Sequence, residues 1–345
     1  MKTAYFDYPL PEHLIAHSPV TPRDHSRLLV VNRQTRQFSD HFFYELPQFL
    51  EAPDQLVVNT TKVIPARLNL HRESGGKIEV LLISESSEDP QVWTAMIRSA
   101  KKLRFGESLG AGHRQLITHL GPASEPGLFH VKFNPDITPK MALAEFGEMP
   151  LPPYITPENQ AALSDAKTRY QSVFAADEGA IAAPTASLHF TPELLAKIEA
   201  KTQPKIPVTL HVGIGTFQPI KTDTISEHVM HRETYSITPE NADKLNKAIA
   251  AKSVVAVGTT VVRTLESAFQ NSKINPGTSD TTIFIYPGIP IQTVSKLITN
   301  FHLPKSTLLM LVSAFADRDL IQAAYAHAIQ KEYRFFSYGD AMLII

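Results

Sequence analysis

Hydrophobic positions recur along this chain with more than one period, and the changes of period divide it. Leu28–Val31 and Gln55–Asn59 are short apolar runs that predict strands. From Val63 to Pro150 the texture changes: ARLNLHR, KIEVLLIS, QVWTAMIRS, RQLITHL and GLFHVKF are short segments, several of them alternating, separated by SGG, SEDP, GESLGAG and GPASEPG turns. Short alternating segments between turn formers predict an all-β module, a small barrel or sandwich.

Past that module the period lengthens. MALAEFGE predicts a short helix, and TPELLAKIEAK and TPENADKLNKAIAAK predict two more, each with a threonine N-cap and proline at the first helical position. Helix and strand then alternate through VVAVG, TTVVRTLESAFQ, TTIFIYPG, STLLMLVSAFA and DLIQAAYAHAIQKE. The expected fold is an α/β main domain, residues 1–62 and 151–345, with an inserted all-β barrel-like domain at residues 63–150. Phe335 and Phe336 predict that the last stretch docks on the core.

Candidate chemistry is densest in Gly179–Pro219. Pro184 fixes its own φ and pushes Ala183 into an extended conformation, so Ala183–Ser187 is expected to be a tight connection leading to His189. Ile206–Val212 reads as a strand buried on both faces, with His211 at its end and Gly213 and Gly215 in the loop beyond. A strand that ends in a glycine loop, with a second histidine in the preceding turn, is where an open α/β sheet usually has its active site. A glycine turn with two satisfied core histidines fits the same residues, and the pattern leaves both readings open.

Composition narrows the classes. At 345 residues, 43% hydrophobic and 19% charged, this is an ordinary globular chain of about two domains. The start, MKTAYFDYPLPEHLI, lacks the basic and apolar regions of a signal peptide, so a cytoplasmic location without membrane association is expected. A net charge of −1 argues against bulk nucleic-acid binding but allows a local basic face. Arg98, Lys101, Lys102 and Arg104 form the densest basic cluster, either a solvated hairpin loop or an RNA-facing patch.

The absence of cysteine excludes more than any motif proves. It removes disulfides, cysteine nucleophiles, thiolate zinc sites and the usual iron–sulfur clusters. Fourteen histidines raise the question of a metal, and His228 and His231 are spaced for one helix face. No HExxH-like pattern accompanies them, and no metal is expected.

Other stretches carry polar groups at element ends. Asn59, Thr60 and Thr61 follow a strand; Gly258, Thr259 and Thr260 open a helix with Arg263 one turn in, an arrangement that suits an anion. Asn300 and His302 precede an apolar helix, and Arg23, Asp24 and Arg27 crowd the entry to an early strand, as a salt-bridge cluster or as anion contacts at a site mouth.

Taken in order, SGGKIEVLL, MPLPPYI, APTASLHF, VTLHVGIGTFQP, VGTTVVRTLES, IFIYPG, TNFHLPKSTLLMLVSAFA and YRFFSYGDAM closely resemble the S-adenosylmethionine:tRNA ribosyltransferase-isomerases of queuosine biosynthesis, over essentially the whole chain. The resemblance implies transfer and isomerisation of the ribosyl part of S-adenosylmethionine onto 7-aminomethyl-7-deazaguanine at the tRNA wobble position. The product is epoxyqueuosine-tRNA, with adenine and methionine released. It also implies an α/β domain with an inserted β-barrel. S-adenosylmethionine is then a co-substrate, with no prosthetic group or metal, and a monomer is expected. Two positions depart from the family pattern: glycine is usual where this chain has Ser187, and Asn or Asp where it has Thr60. An ordinary negative φ is expected at Ser187, with its hydroxyl bonded to backbone or ligand.

Without cysteines to ligate a cluster, a polar mechanism is expected, and histidine suits its proton transfers. His189 and His211 are the catalytic candidates, with His302 in reserve. Thr185, Gly213, Gly215, Thr216, Gly258, Thr259 and Thr260 are expected to hold S-adenosylmethionine, and Arg263 to pair with its carboxylate. Arg67 and Arg334 join the basic cluster as RNA-phosphate candidates. Two other classes fit parts of the chain: a histidine-metal hydrolase of nucleotides, and a non-catalytic RNA-binding protein using the β module.

Overall fold

The computed structural model describes residues 1–152, 154–155, 160–213, 220 and 222–345, and of residues 101, 160–163 and 166 the backbone alone. Gly215 and Thr216 lie outside the described residues, as does the side chain of Lys101. The chain forms two compact units, one of Met1–Lys62, Pro152–Asp177 and Ala183–Ile345, the other of Val63–Leu151 with Glu178–Ala182. From sequence, Glu178–Ala182 belong with the α/β portion. In the structure they group with the barrel, where the Ile64 N–H donates to the Ala180 carbonyl (3.0 Å).

The smaller unit is a closed antiparallel barrel. Its six strands follow the ring Arg67–Arg72, Lys77–Glu85, Val92–Ile97, Leu128–Phe133, Arg114–Pro122 and Ser108–Ala111, and the last pairs back with the first. Alternation directs the side chains: Leu68 and Leu70 are buried while Asn69 and His71 between them face outward. Val80, Leu82, Ala95, Val131 and Phe133 complete the filling, and closure leaves no free edge in the ring.

The larger unit is built on a nine-stranded mixed sheet ordered Gly277–Thr281, Glu233–Ile237, Gln203–Leu210, Gln55–Asn59, Val254–Val257, Lys296–Asn300, Ala341–Ile344, Arg27–Asn32 and Gln37–Phe42. Gln203–Leu210, Gln55–Asn59, Val254–Val257 and Lys296–Asn300 run parallel to their neighbours in that order. Their C-terminal ends therefore share one edge, and Asn59, His211, Gly258 and Asn300 stand at or just past it. Helices pack on the sheet around a core that includes Leu28, Phe43, Val58, Phe190, Val257 and Leu343. An α/β unit with an all-β barrel is the fold class the periodicity predicts.

Three local expectations fail. The strand near His211 spans Gln203–Leu210, and its inner and outer residues alternate from Lys205 onward instead of being buried on both faces. Only two strands separate it from the sheet margin, so one of its faces stays partly open, at Lys205, Pro207 and Thr209. TTIFIYPG is a strand only up to Thr281, and the place beside Val254–Val257 belongs to Lys296–Asn300, whose run SKLITN is shorter and more polar. His228 and His231 share no helix, because the single turn Ile225–Glu227 ends before an extended His228. Phe335 is fully buried, as its aromatic neighbourhood predicts.

Candidate active site

Proline 184 starts a single 3-10 turn, Thr185–His189, which delivers His189 to the sheet edge. The ring lies stacked against Phe43, centroids 5.0 Å apart, and is buried. Its Nδ1 lies 2.7 Å from Ser26 Oγ and its Nε2 is 3.0 Å from Asn300 Nδ2. The same Asn300 amide nitrogen donates to the Phe336 carbonyl at 3.2 Å, which fixes the amide orientation. Nε2 of His189 is then the acceptor, and Nδ1 carries the proton and donates to Ser26. Burial first, then the nearby Arg23 and Arg334, push its pKa down to about 3. A neutral imidazole with both nitrogens engaged results.

Ser187 sits in the same turn without a positive φ, as expected for serine. Of the two partners expected for its hydroxyl, the backbone one is not found: Oγ is buried with no partner among the described residues, which leaves the ligand.

His211 has a different surrounding. Its backbone N–H donates to the Thr234 carbonyl (3.0 Å), and Nδ1 is 2.8 Å from Thr61 Oγ1. Asn59 holds the two strand ends together, its Oδ1 accepting from Thr61 N (3.0 Å) and Leu210 N (3.1 Å) while its Nδ2 donates to the Leu210 carbonyl (2.9 Å). Nearby, the Asp177 carboxylate accepts from Thr60 Oγ1 (2.6 Å) and Thr209 Oγ1 (3.0 Å). Burial lowers the pKa of His211, and Asp177 opposes that shift. Its Nε2 has no partner among the described residues, so the ring is anchored on one side and available on the other.

Gly258 has φ of +93°, a conformation that favours glycine, and opens the helix Thr259–Ala268. A Cβ there would touch Ala186 Cβ at 3.5 Å and Thr260 Oγ1 at 3.6 Å, so this helix start abuts the His189 turn. One turn along, Arg263 Nη1 donates to Glu233 Oε2, and the pair is buried. Glu233 Oε1 accepts from the Gly213 N–H (2.8 Å). Among the described residues Arg263 Nε and Nη2, which are buried, have no partners, and neither has Thr260 Oγ1. A buried guanidinium with two free donor nitrogens beside a helix N-terminus is suited to a carboxylate.

The chain matches the family model described as queuosine biosynthesis protein over residues 3–344. It belongs to that family. Among curated relatives, the S-adenosylmethionine:tRNA ribosyltransferase-isomerases of Desulfitobacterium hafniense and Moorella thermoacetica are 47% and 48% identical, each over the full length of both chains. The crystal structure of an S-adenosylmethionine tRNA ribosyltransferase from Thermotoga maritima aligns with a TM-score of 0.56 at 36% identity, covering 99% of this chain and 100% of that one.

In this chain the residues singled out from sequence fall into separate groups. Gly213, Gly258, Thr260 and Arg263 cluster around Glu233 and the helix start, and Thr185 opens the His189 turn beside them. His302 is knit into the core: Nε2 contacts Thr299 Oγ1 (2.8 Å), its N–H donates to the Tyr325 hydroxyl (2.8 Å), and burial lowers its pKa to about 3. Arg98, Lys102 and Arg104 are exposed on the barrel unit, whereas Arg67 is half-buried and donates to the Leu151 carbonyl (3.1 Å). Arg334 donates to the Ser18 carbonyl, with its backbone N–H on Asp340 (2.7 Å). Sequence reasoning missed Ser26, Asp177 and Glu233. Glu233 lies thirty residues from Arg263, and no short motif joins them. Among the described residues no group of three or more His, Asp or Glu side chains is arranged to hold a metal ion, and no helix is long and apolar enough to cross a membrane.

Proposed function

We propose that this chain is an S-adenosylmethionine:tRNA ribosyltransferase-isomerase that converts 7-aminomethyl-7-deazaguanine at the tRNA wobble position to epoxyqueuosine. The observation that carries the reading is full-length identity of 47–48% with relatives of that name, joined to a sheet edge whose free valences match the substrate. Arg263 Nε and Nη2 receive the methionine carboxylate, and Thr260 Oγ1, Thr185 and the backbone at Gly213 and Gly258 hold the rest of the molecule. Gly215 and Thr216 belong to the same assignment.

The sulfonium makes the adjacent ribose methylene acidic, and His211 removes a proton through Nε2 while Thr61 holds Nδ1–H. Adenine departs with help from an acid, the aminomethyl nitrogen of the tRNA attacks the opened sugar, and methionine leaves as the ring is rebuilt. His189 serves as a neutral ring that fixes the wall of the site; it accepts a proton only if the Asn300 amide swings away. Arg98, Lys101, Lys102, Arg104, Arg67 and Arg334 are assigned to the tRNA backbone. The modified base must leave the anticodon stack, which a single-stranded loop makes less costly than a duplex.

The test is mass spectrometry of tRNA carrying the aminomethyl precursor base after incubation with the protein and S-adenosylmethionine. A ribosyl-derived mass gain with stoichiometric adenine and methionine is expected. Transfer of a methyl group instead would reject the assignment.

A further inference from the structure

Two arginines of the α/β unit have no part in the chemistry above. Arg23 lies in the turn Arg23–His25 and Arg169 ends the helix Gln160–Arg169, and together with Ser26, His189 and Tyr338 they line one pocket. Among the described residues all the acceptors they meet are neutral. Arg23 Nη1 donates to the Gln171 carbonyl (3.2 Å), Arg169 Nη1 to Thr21 Oγ1 (3.1 Å), and Arg169 Nη2 to the Val20 carbonyl. Arg169 Nε is buried with no partner among the described residues.

Neither guanidinium forms an ion pair among the described residues. Burial, and then the Arg169 charge, hold Arg23 below the ordinary arginine range; Tyr338 and Asp165 act the other way. Arg23 and Arg334 both act on His189, and of the two only Arg23 lines the pocket with Arg169. Two like charges held close over a neutral imidazole, without a carboxylate at contact distance, are stable when an anion enters. Their guanidinium groups come from different elements, an approach that suits a tetrahedral anion with oxygens on several sides.

We propose that one phosphodiester of the RNA substrate docks at the open mouth of this pocket, gripped by the half-buried Arg23 and Arg169 above a floor formed by the buried His189 and Ser26. Held there, the backbone sets the register of the strand beside the sheet edge, since phosphate contacts position a nucleic acid while the chemistry reads the base. The inference rests on the reading that tRNA is the substrate.

The test measures affinity of the full chain for precursor tRNA across about 50 to 200 mM salt, for the wild type and for Arg23→Gln, Arg169→Gln and Arg169→Lys. Glutamine keeps a donor and much of the stem, and affinity for S-adenosylmethionine reports that each variant is folded. Each glutamine variant should lower the log–log salt slope by about 0.7, the value for one phosphate contact on a single strand, and the lysine variant should retain it. Inorganic phosphate should compete with tRNA for the wild type and not for the glutamine variants. Unchanged slopes in chains that still bind tRNA would overturn the pocket assignment alone. Phosphate binding with unchanged slopes would mark a free-anion site and overturn it too, whereas a wild type that binds no tRNA would remove the functional reading itself.

Discussion

His189 and His211 stand at the same edge of one sheet, yet their surroundings differ in a way that separates structure from chemistry. Around His189 the hydrogen-bonding valences of the ring are filled, by Ser26 on one side and Asn300 on the other, and an aromatic face closes over it. Around His211 and Arg263 they are left open: Nε2 of the ring, two nitrogens of the guanidinium and the Thr260 hydroxyl have no partner among the described residues. Next to the filled ring of His189, Ser187 Oγ and Asn300 Oδ1 are also buried without partners among the described residues, so the contrast is between the two rings and the open groups extend along the edge. Buried polar groups are almost always paired, so such a set marks where a ligand completes the network.

The largest effect tests the open side. Arg263→Met leaves the Glu233 carboxylate buried without its cation and should destabilise the fold by roughly 3–5 kcal/mol, measured by urea unfolding. Pairing it with Glu233→Gln removes the stranded charge and should restore most of that stability but not the affinity for S-adenosylmethionine. Recovery of affinity in the double variant would show that the two free nitrogens of Arg263 hold nothing.

The two histidines should then part company. His211→Ala should lower turnover by roughly 10²-fold or more with little change in melting temperature. His189→Ala should act mainly on stability, by about 2–4 kcal/mol, because it opens a hole under Phe43 and strands the Ser26 and Asn300 groups. If His189→Ala melted like the wild type while turnover collapsed, the filled ring would be the catalytic one.

Acid should expose the same contrast at smaller scale. His189 and His302, held at about 3 when folded, take up protons in the unfolded chain near the ordinary value of about 6.5. Their contribution is therefore intact above about 6.5 and lost as pH falls from there toward 3, at about 1 kcal/mol per pH unit for each ring. Replacing His302 with asparagine should flatten that slope in equilibrium unfolding between those limits.

The smallest effect concerns tuning. With the His211 pKa lowered by burial, the acid limb of kcat/KM should fall below the ordinary histidine range. Asp177→Asn removes the carboxylate that opposes this shift and should move the limb lower still. A limb that moved upward would detach Asp177 from the titrating group.

Much of this was legible in the chain before folding. Five strands of the barrel could be read because several of the segments alternate and the turns between them carry glycine or proline; the sixth, Ser108–Ala111, lies inside GESLGAG, which reads as a turn, because its small residues show no apolar alternation and only closure of the ring gives it partners. Thr191 and Thr238 mark two helix starts by residue type, and their hydroxyls accept from Leu194 N (3.2 Å) and Asn241 N (3.3 Å). TTIFIYPG misled because apolar content does not say whether a strand will find a partner; the neighbour of Val254–Val257 is chosen by the crossover, not by hydropathy. Within the site, histidines and glycine turns announce themselves, whereas Glu233 and Ser26 are ordinary letters until the sheet sets them beside Arg263 and His189.

Asn59 joins its strand to one that begins a great distance later, since its amide meets Leu210 across 151 positions of chain. All pairings of the barrel ring, by contrast, lie within a single continuous stretch, and Arg67 reaches back to Leu151 at the far end of it. Local pairings close quickly and distant ones slowly. The barrel should therefore condense first, and by drawing its own ends together it removes more than half of the loop that Asn59 must close. On that account the inserted unit acts as a kinetic splice: disturbing it, even far from any reacting atom, would slow the assembly of the sheet edge at which both histidines stand.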